Sequence, residues 1–374
     1  MVVFLLSAPN RELFYRRIIM FWKKASNFFS FQNSVQAKWT PRQYSALVKE
    51  GYEKNVIVYR CISLIARGVA SVAWKSDSNL GVSLLSSPNA NESWSCFMES
   101  LVTSFLCSGN AFVLIEVNKE GDPVSFKNLR SDRMHIKTED EEIVSYEYTI
   151  NGKTRSYGVN DKRLKIVHLK SIHPLNDWLG LSPIEVAAMA IDQHNAVSTH
   201  NVSILQNGGR PSGVFIWKGD GYPLTAEQKA NLRESIGSLY SGQQNAGKIA
   251  VLDGSLEWKE MGLSPKDLDF VEGKHVAARE IAQVFGVPTM LIGVPGEATY
   301  ENYKEARFHL WEDTILPLLD RIQTAFAKQL NLSFSYDMNK IPALAPRREA
   351  LWSKISNASF LSQEEQREAL GYMC

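Results

Sequence analysis

Cysteine is scarce in this chain. Its 374 residues hold four, at positions 61, 96, 107 and 374, with no C-x-x-C and no paired Cys/His spacing. This excludes the usual zinc patterns and a secreted disulfide framework, and it fits a reducing, cytoplasmic compartment. Net charge is equally sparse: 41 Lys and Arg against 40 Asp and Glu leave +1. A molecule so balanced lacks the global basic field of a tight nucleic-acid binder, so any contact with DNA has to be local or weak. Long apolar runs are missing too. The longest uncharged stretch, Ser100–Ile115, contains Gly109 and Asn110 and falls short of the ~20 residues a spanning helix needs.

Catalytic signatures are also wanting. There is no H-E-x-x-H and no G-x-S-x-G, and no cysteine has a neighbouring histidine. Gly242–Ile249 reads G-x-x-x-x-G-K but lacks the final Ser/Thr that would hold magnesium. A helix precedes it and an apolar strand, Lys248–Leu252, follows, which inverts the strand–loop–helix order of a phosphate loop. A helix-to-strand turn accounts for it. The acidic run Glu139-Asp140-Glu141-Glu142 reads as a solvated loop, because adjacent side chains diverge whereas two-metal sites gather carboxylates from separate elements. The sequence therefore predicts no enzyme, no cofactor and no metal.

What is present describes an ordinary folded protein with 44% hydrophobic and 22% charged residues, of a length that suits roughly two to three domains. Val58, Ile62, Ile65 and Val69 predict a helix over Asn55–Val72; Phe97, Leu101 and Phe105 predict another from Ser93, stopped by Gly109-Asn110. Short strands follow at 111–117, 124–126, 134–137, 144–150 and 165–169, with an Asn151-Gly152 turn. Two later helices begin alike, at Ser182-Pro183-Ile184-Glu185 and Ser264-Pro265-Lys266-Asp267, and end at Gln206 and Phe285. The seam of the first mixes apolar Ile184, Ala188, Ile191, Val202 and Leu205 with Asn195 and Ser198. Such a seam suits helices in a thin layer rather than a globular core. Between these helices lies a small α/β module: a strand at 213–218, a helix from the Thr225-x-x-Gln228 box to Tyr240, and strands at 248–252 and 256–260. A long helix over 300–330, striped by Trp311, Ile315, Leu318, Leu319, Ile322 and Phe326, should kink at Pro317. A strand near 332–336, a helix over 346–356 and a last one opened by Ser362-x-x-Glu365 complete the chain.

Residues 1–54 carry nine Lys/Arg and three Asp/Glu around the apolar stretches Val2–Leu6 and Ile18–Trp22. The charge order is wrong for a signal peptide, and Met20 is an alternative start. Two readings stand: a loosely docked arm, or one that touches nucleic acid, a membrane surface or a neighbouring subunit.

One series of motifs is specific by its order and gaps: Gly180-Leu181-Ser182-Pro183, Asn207-Gly208-Gly209-Arg210-Pro211-Ser212-Gly213, Gly242–Leu252, Leu256-Glu257-Trp258-Lys259, Leu263–Asp267, Ile281–Pro288 and Thr299-Tyr300-x-Asn302. From Asn55 onward the chain resembles the portal proteins of tailed bacteriophages, the short siphophage kind. The resemblance implies an α+β portal-type fold assembling as a ring, usually a dodecamer, around a DNA channel. It divides the chain into a basic arm (1–54), a wing (55–180), stem helix 1 (181–210), a clip (211–262), stem helix 2 (263–288), a tunnel loop with the long kinked helix (289–335) and a short crown-like region (336–374). Ser131 stands where family members commonly have Pro, and the arm lies outside the shared pattern.

The implied function is a passive conduit at one capsid vertex for DNA packaging and ejection. Its implied partners are further copies of itself, the packaging ATPase (terminase large subunit), a head–tail connector, the major capsid and scaffold proteins, and double-stranded DNA passing without sequence preference. The implied locations are the virion and, during assembly, the host cytoplasm. Gly293, Pro295, Gly296, Glu297, Thr299 and Tyr300 are the candidate tunnel-loop residues; Asp192, His194, Lys266 and Lys274 are candidates for the stem channel. Glu297 would form a ring of negative charge that repels phosphates, or else support the positive N-terminus of the helix after it. The alternatives are a capsid- or membrane-attached scaffold that uses the arm, and an NTPase or nuclease built on Lys248 or the acidic run.

Overall fold

Asn55 performs the capping its position predicts. In the computed structural model its Oδ1 accepts from the Ile57 and Val58 N–H groups (3.0 and 3.2 Å) and opens helix α2 (Val56–Ala70), whose Val58, Ile62, Ile65 and Val69 are all wholly buried. The structure describes residues 39–206, 213–217, 225–240, 256–260, 269–295, 300–330, 333–358 and 360–369. The fold lies in the unit Thr40–Cys374. Residues 40–54 depart from the expected arm. They form helix α1 (Tyr44–Val48) and a π-helical turn (Lys49–Glu53), with Leu47 buried in the main core.

After β1 (Trp74–Ser76) comes α3 (Asn79–Ser86), a helix absent from the sequence reading because its eight residues hold barely two turns of periodicity. Its one local signal is Ser78, whose hydroxyl accepts from the Gly81 N–H at 2.9 Å. Helix α4 (Trp94–Ser108) starts at its Ser93 cap and stops at Gly109, which adopts φ 72°. A Cβ at Gly109 would stand 2.5 Å from the Leu181 backbone, so both the left-handed turn and the close approach require glycine.

Six strands follow: β2 (Asn110–Val117), β3 (Pro123–Leu129), β4 (Met134–Glu139), β5 (Glu142–Ile150), β6 (Lys153–Gly158) and β7 (Leu164–Lys170). They form two antiparallel sheets, β3-β2-β7 and β4-β5-β6. Strand β2 is buried on both faces, and its alternation sorts the layers. Ala111, Val113 and Ile115 point into the core shared with α2 and α4; Phe112 and Leu114 point the other way, into a smaller core with Met134, Tyr148 and Tyr157 of the second sheet. The acidic run is not a four-residue loop. Glu139 and Glu142 are paired strand ends, and Asp140-Glu141 make the turn.

The first Ser-Pro helix is broken where one rod was expected: α5 (Pro183–Val186) ends at Ala187 and α6 runs Ala188–Gln206. The Ser182 hydroxyl accepts from the Ile184 N–H (3.1 Å) and donates to the Cys107 carbonyl (2.8 Å). Among the described residues no bond to the Glu185 carboxylate closes the expected box. The inserted module contains β8 (Gly213–Trp217), α7 (Ala226–Tyr240) and β9 (Leu256–Glu260), with β8 and β9 antiparallel. Its capping box is reciprocal: the Thr225 N–H donates to Gln228 Oε1 (3.0 Å) and the Gln228 N–H to Thr225 Oγ1 (3.3 Å). The second Ser-Pro helix is described as α8 (Phe270–Val284); its Ser264-Pro265 start and the expected 248–252 strand lie outside the described residues.

The expected long helix has three parts, α9 (Tyr300–His309), a π-helical segment (Leu310–Ile315) and α10 (Leu316–Gln329). The wide π turns sit directly before Pro317, which has no N–H to continue an α ladder. All six residues of the predicted stripe are buried except for small remnants, Trp311 being 8% exposed. The C-terminal strand β10 (Phe334–Tyr336) pairs with β1, and α11 (Ala345–Ser356) and α12 (Gln363–Ala369) follow. Trp94 joins these parts, its ring 5.5 Å from Phe97, 6.4 Å from Phe326 and 6.2 Å from Phe334, centroid to centroid.

Candidate functional site

Buried polar groups attach the first Ser-Pro helix to the α/β body. Asn110, at the start of β2, uses its whole hydrogen-bonding capacity. Its Oδ1 accepts from the Gly180 N–H (2.7 Å) and from His168 Nε2 (3.0 Å), while Nδ2 donates to the Ser108 and Gly180 carbonyls (2.9 and 3.2 Å). This arrangement places the His168 proton on Nε2. Burial, with help from the Lys170 cation, depresses the His168 pKa to about 4, and its ring stacks on Phe112 at 4.3 Å. Ser131 donates from its hydroxyl to the Asn110 carbonyl at 2.9 Å.

Asn55 is saturated in the same way. Beyond the two cap bonds, its Nδ2 lies 3.2 Å from His194 Nδ1 and donates to Asn195 Oδ1 at 3.0 Å, and Asn195 in turn donates to the Glu50 carbonyl (2.9 Å). One buried side chain thus caps α2 and grips α6. The two hydrogens of the amide meet two acceptors only if His194 Nδ1 is unprotonated. Burial and the nearby Lys274 cation both push the His194 pKa down, in agreement.

These contacts revise the channel candidates. His194 is 4% exposed and bonded inside its own chain, so it cannot meet DNA in a channel. Asp192 is half-buried and accepts from the Thr40 N–H (2.8 Å) and hydroxyl (2.5 Å), which makes it an anchor for the segment entering α1. Lys274 is half-exposed on α8. In the tunnel loop, Gly293 takes a left-handed φ of 78° and Pro295 is exposed; Tyr300 begins α9. Lys266, Gly296, Glu297 and Thr299 lie outside the described residues. Sequence reasoning missed Asn55 and Asn110 as joints. A buried Asn at a cap and another after a Gly were the available signals, but only the partners distant in sequence give them meaning.

Along the seam of α5 and α6 the environment changes. Ile184, Ala188 and Ile191 are at most 2% exposed, whereas Val202 and Leu205 are 50% and 65% exposed. On α8, Ala277, Ala278 and Ile281 are buried, but Val271 is 66% exposed. Near their free ends the helices touch through His200 and Phe270, with ring centroids 4.8 Å apart. Among the described residues no helix is long and apolar enough to cross a membrane, and no group of three or more His, Cys, Asp or Glu is placed to hold a metal. Two paired helices with exposed apolar residues outside the chain's two cores offer surface for a neighbour to cover.

The comparisons with known proteins identify the class. The phage portal protein family model matches residues 56–371. An uncharacterized protein of Rickettsia bellii is 36% identical over 373 residues, covering 94% of this chain and 96% of its own. The portal protein of Enterobacteria phage HK97 is 24% identical over 289 residues, 73% of this chain and 66% of its own. Among solved structures, a chain from the neck of the native gene transfer agent particle, computed with C12 symmetry, superposes with a TM-score of 0.70 at 39% identity, covering 90% of this chain and 96% of that one. The chain belongs to the phage portal protein family, and its function is that of a portal protein.

Proposed function

We propose that the chain forms a twelve-subunit ring at one vertex of a phage or phage-like capsid and serves there as a passive channel for double-stranded DNA during packaging and ejection. The similarity that carries this reading is the one to the gene transfer agent neck, a structure computed with C12 symmetry. In this reading α5, α6 and α8 are the stem, the β8–α7–β9 module is the clip that meets the packaging ATPase and the head–tail connector, and the regions on either side keep the boundaries given above. The capsid and scaffold proteins would surround the wing. The exposed Val202, Leu205 and Val271 support neighbours along the stem, and the near-zero net charge suits a channel through which DNA must slide. The chain itself hydrolyses nothing; the energy comes from a separate ATPase. Its site of assembly is the host cytoplasm and its destination the virion.

Negative-stain imaging of the purified chain tests the proposal. Rings with a central hole are expected; a 42.1 kDa monomer at every protein and salt concentration would contradict it.

A further inference from the structure

A groove of about 350 Å³ opens between α2 and the junction of α9 with the π-helical segment. Its floor is apolar, made by Leu64, Leu291, Leu310 and Trp311, and its charged lining residues are all arginines: Arg60, Arg67 and Arg307. Arg67 is paired with Glu99 at 3.2 Å. Among the described residues neither Arg60 nor Arg307, both exposed, has an acid within ion-pair reach. The groove is therefore built for an occupant with an apolar contact and negative charge.

The matching chemistry stands in the second sheet of the same subunit. From the groove, α2 packs on α4, α4 on β2, and the β4-β5-β6 sheet covers the far face of β2. The β4–β5 hairpin ends in Glu139, Asp140, Glu141 and Glu142, all exposed, with Val144 40% exposed beside them. Met134 and Tyr148 hold its base in the core, and the six residues from Met134 to Glu139 reach roughly 15–20 Å at strand rise. The tip is built against local preference. Asp140 and Glu141 take φ of 47° and 64°, where a two-residue turn favours Asn-Gly, the pair the next hairpin uses at 151 and 152. Glu139 also faces Glu142 directly across the strands.

A head-to-tail ring sets one side of each subunit against the other side of the next. We propose that the acidic β4–β5 tip of one subunit docks in the arginine groove of its neighbour, with Val144 against the apolar floor and the carboxylates against Arg60 and Arg307. This inference rests on the ring reading above and names the contact within it.

Charge exchange tests the contact in the full chain, with ring fraction read by native mass spectrometry and negative stain over a range of protein concentration and salt. Glu139→Lys with Glu142→Lys, and separately Arg60→Glu with Arg307→Glu, should each raise the concentration for half-assembly about tenfold or more at low salt, and their combination should restore it. A second tip variant, Asp140→Asn with Glu141→Gly, relieves the strained turn while removing two charges. It should raise the thermal midpoint of the unassembled chain yet weaken the ring, a pair of opposite effects that a merely structural role would not produce. Wild-type rings that all these variants leave unchanged would overturn the docking and spare the ring reading. Failure of wild type to form rings would overturn both. Arginine reversal that loses DNA retention without rescue by the reversed tip would assign the groove to DNA phosphates and end the proposal.

Discussion

In the ring reading, the wing and the stem of this subunit are built on opposite terms. In the wing, Asn55 and Asn110 each meet every hydrogen-bonding demand of a buried amide within the chain, and the aromatic cluster around Trp94 packs α10 and β10, from beyond the wing, against α4 and β3 in one core. In the stem, burial fades along the seam of α5 and α6, from Ile184 at 0% exposure to Leu205 at 65%. A region with a large internal core can fold before assembly, although it too leaves Ile172 and Leu175 exposed, at 81% and 91%; the uncovered valine and leucine of the stem lie outside both cores. The difference separates substitutions that destroy the subunit from those that destroy only the ring.

The largest effect should come from the wing. Asn110→Ala strands the Gly180 N–H, the two carbonyls and the His168 nitrogen in a buried site, and loses roughly 3 kcal/mol or more of unfolding free energy. Chemical denaturation of the unassembled chain measures this. A loss below about 1 kcal/mol would mean the joint is not what closes the wing.

Val202→Ser with Leu205→Ser should do the reverse. Both side chains are half or more exposed, so the stability of the unassembled chain should move by no more than about 0.5 kcal/mol per site, while rings dissociate at protein concentrations where wild type remains assembled. Equal losses in both measurements would erase the contrast between the two regions.

The smallest effect is one of pH. His168 and His194 are held neutral in the folded chain, with pKa values below that of the unfolded side chain, about 6.5. As pH falls below 6.5 the unfolded state takes up protons that the folded state refuses, so stability is greatest above that pH and declines toward pH 4. At pH 5.5 His168 alone accounts for about 1 kcal/mol, and His168→Gln should flatten that part of the curve of thermal midpoint against pH.

Much of the fold was legible because its signals are local. Ser93, Thr225 and Ser362 cap where they were expected to, Gly109 stops its helix, and the stripe from Trp311 to Phe326 is buried as its spacing predicts. The misreadings fall where distant residues decide. Residues 40–54 look like the end of a basic arm until Thr40 is seen bonded to Asp192 and Asn195 to the Glu50 carbonyl. His194 looks like a channel group because periodicity shows which residues share a helix face but not what covers that face.

By itself the sequence determined most of the helix and strand positions, several of the caps and stops and, through its ordered motifs, the family. Those follow from steric and hydrogen-bonding preferences acting over a few residues, or from the whole pattern at once. Only the tertiary structure decided which polar residues are joints and which remain free, because a histidine or asparagine has the same local propensity in either role. It also placed the arginine groove beside α2 and the acidic hairpin in the second sheet, since the stacking of α2, α4 and the two sheets depends on contacts among residues far apart in the chain.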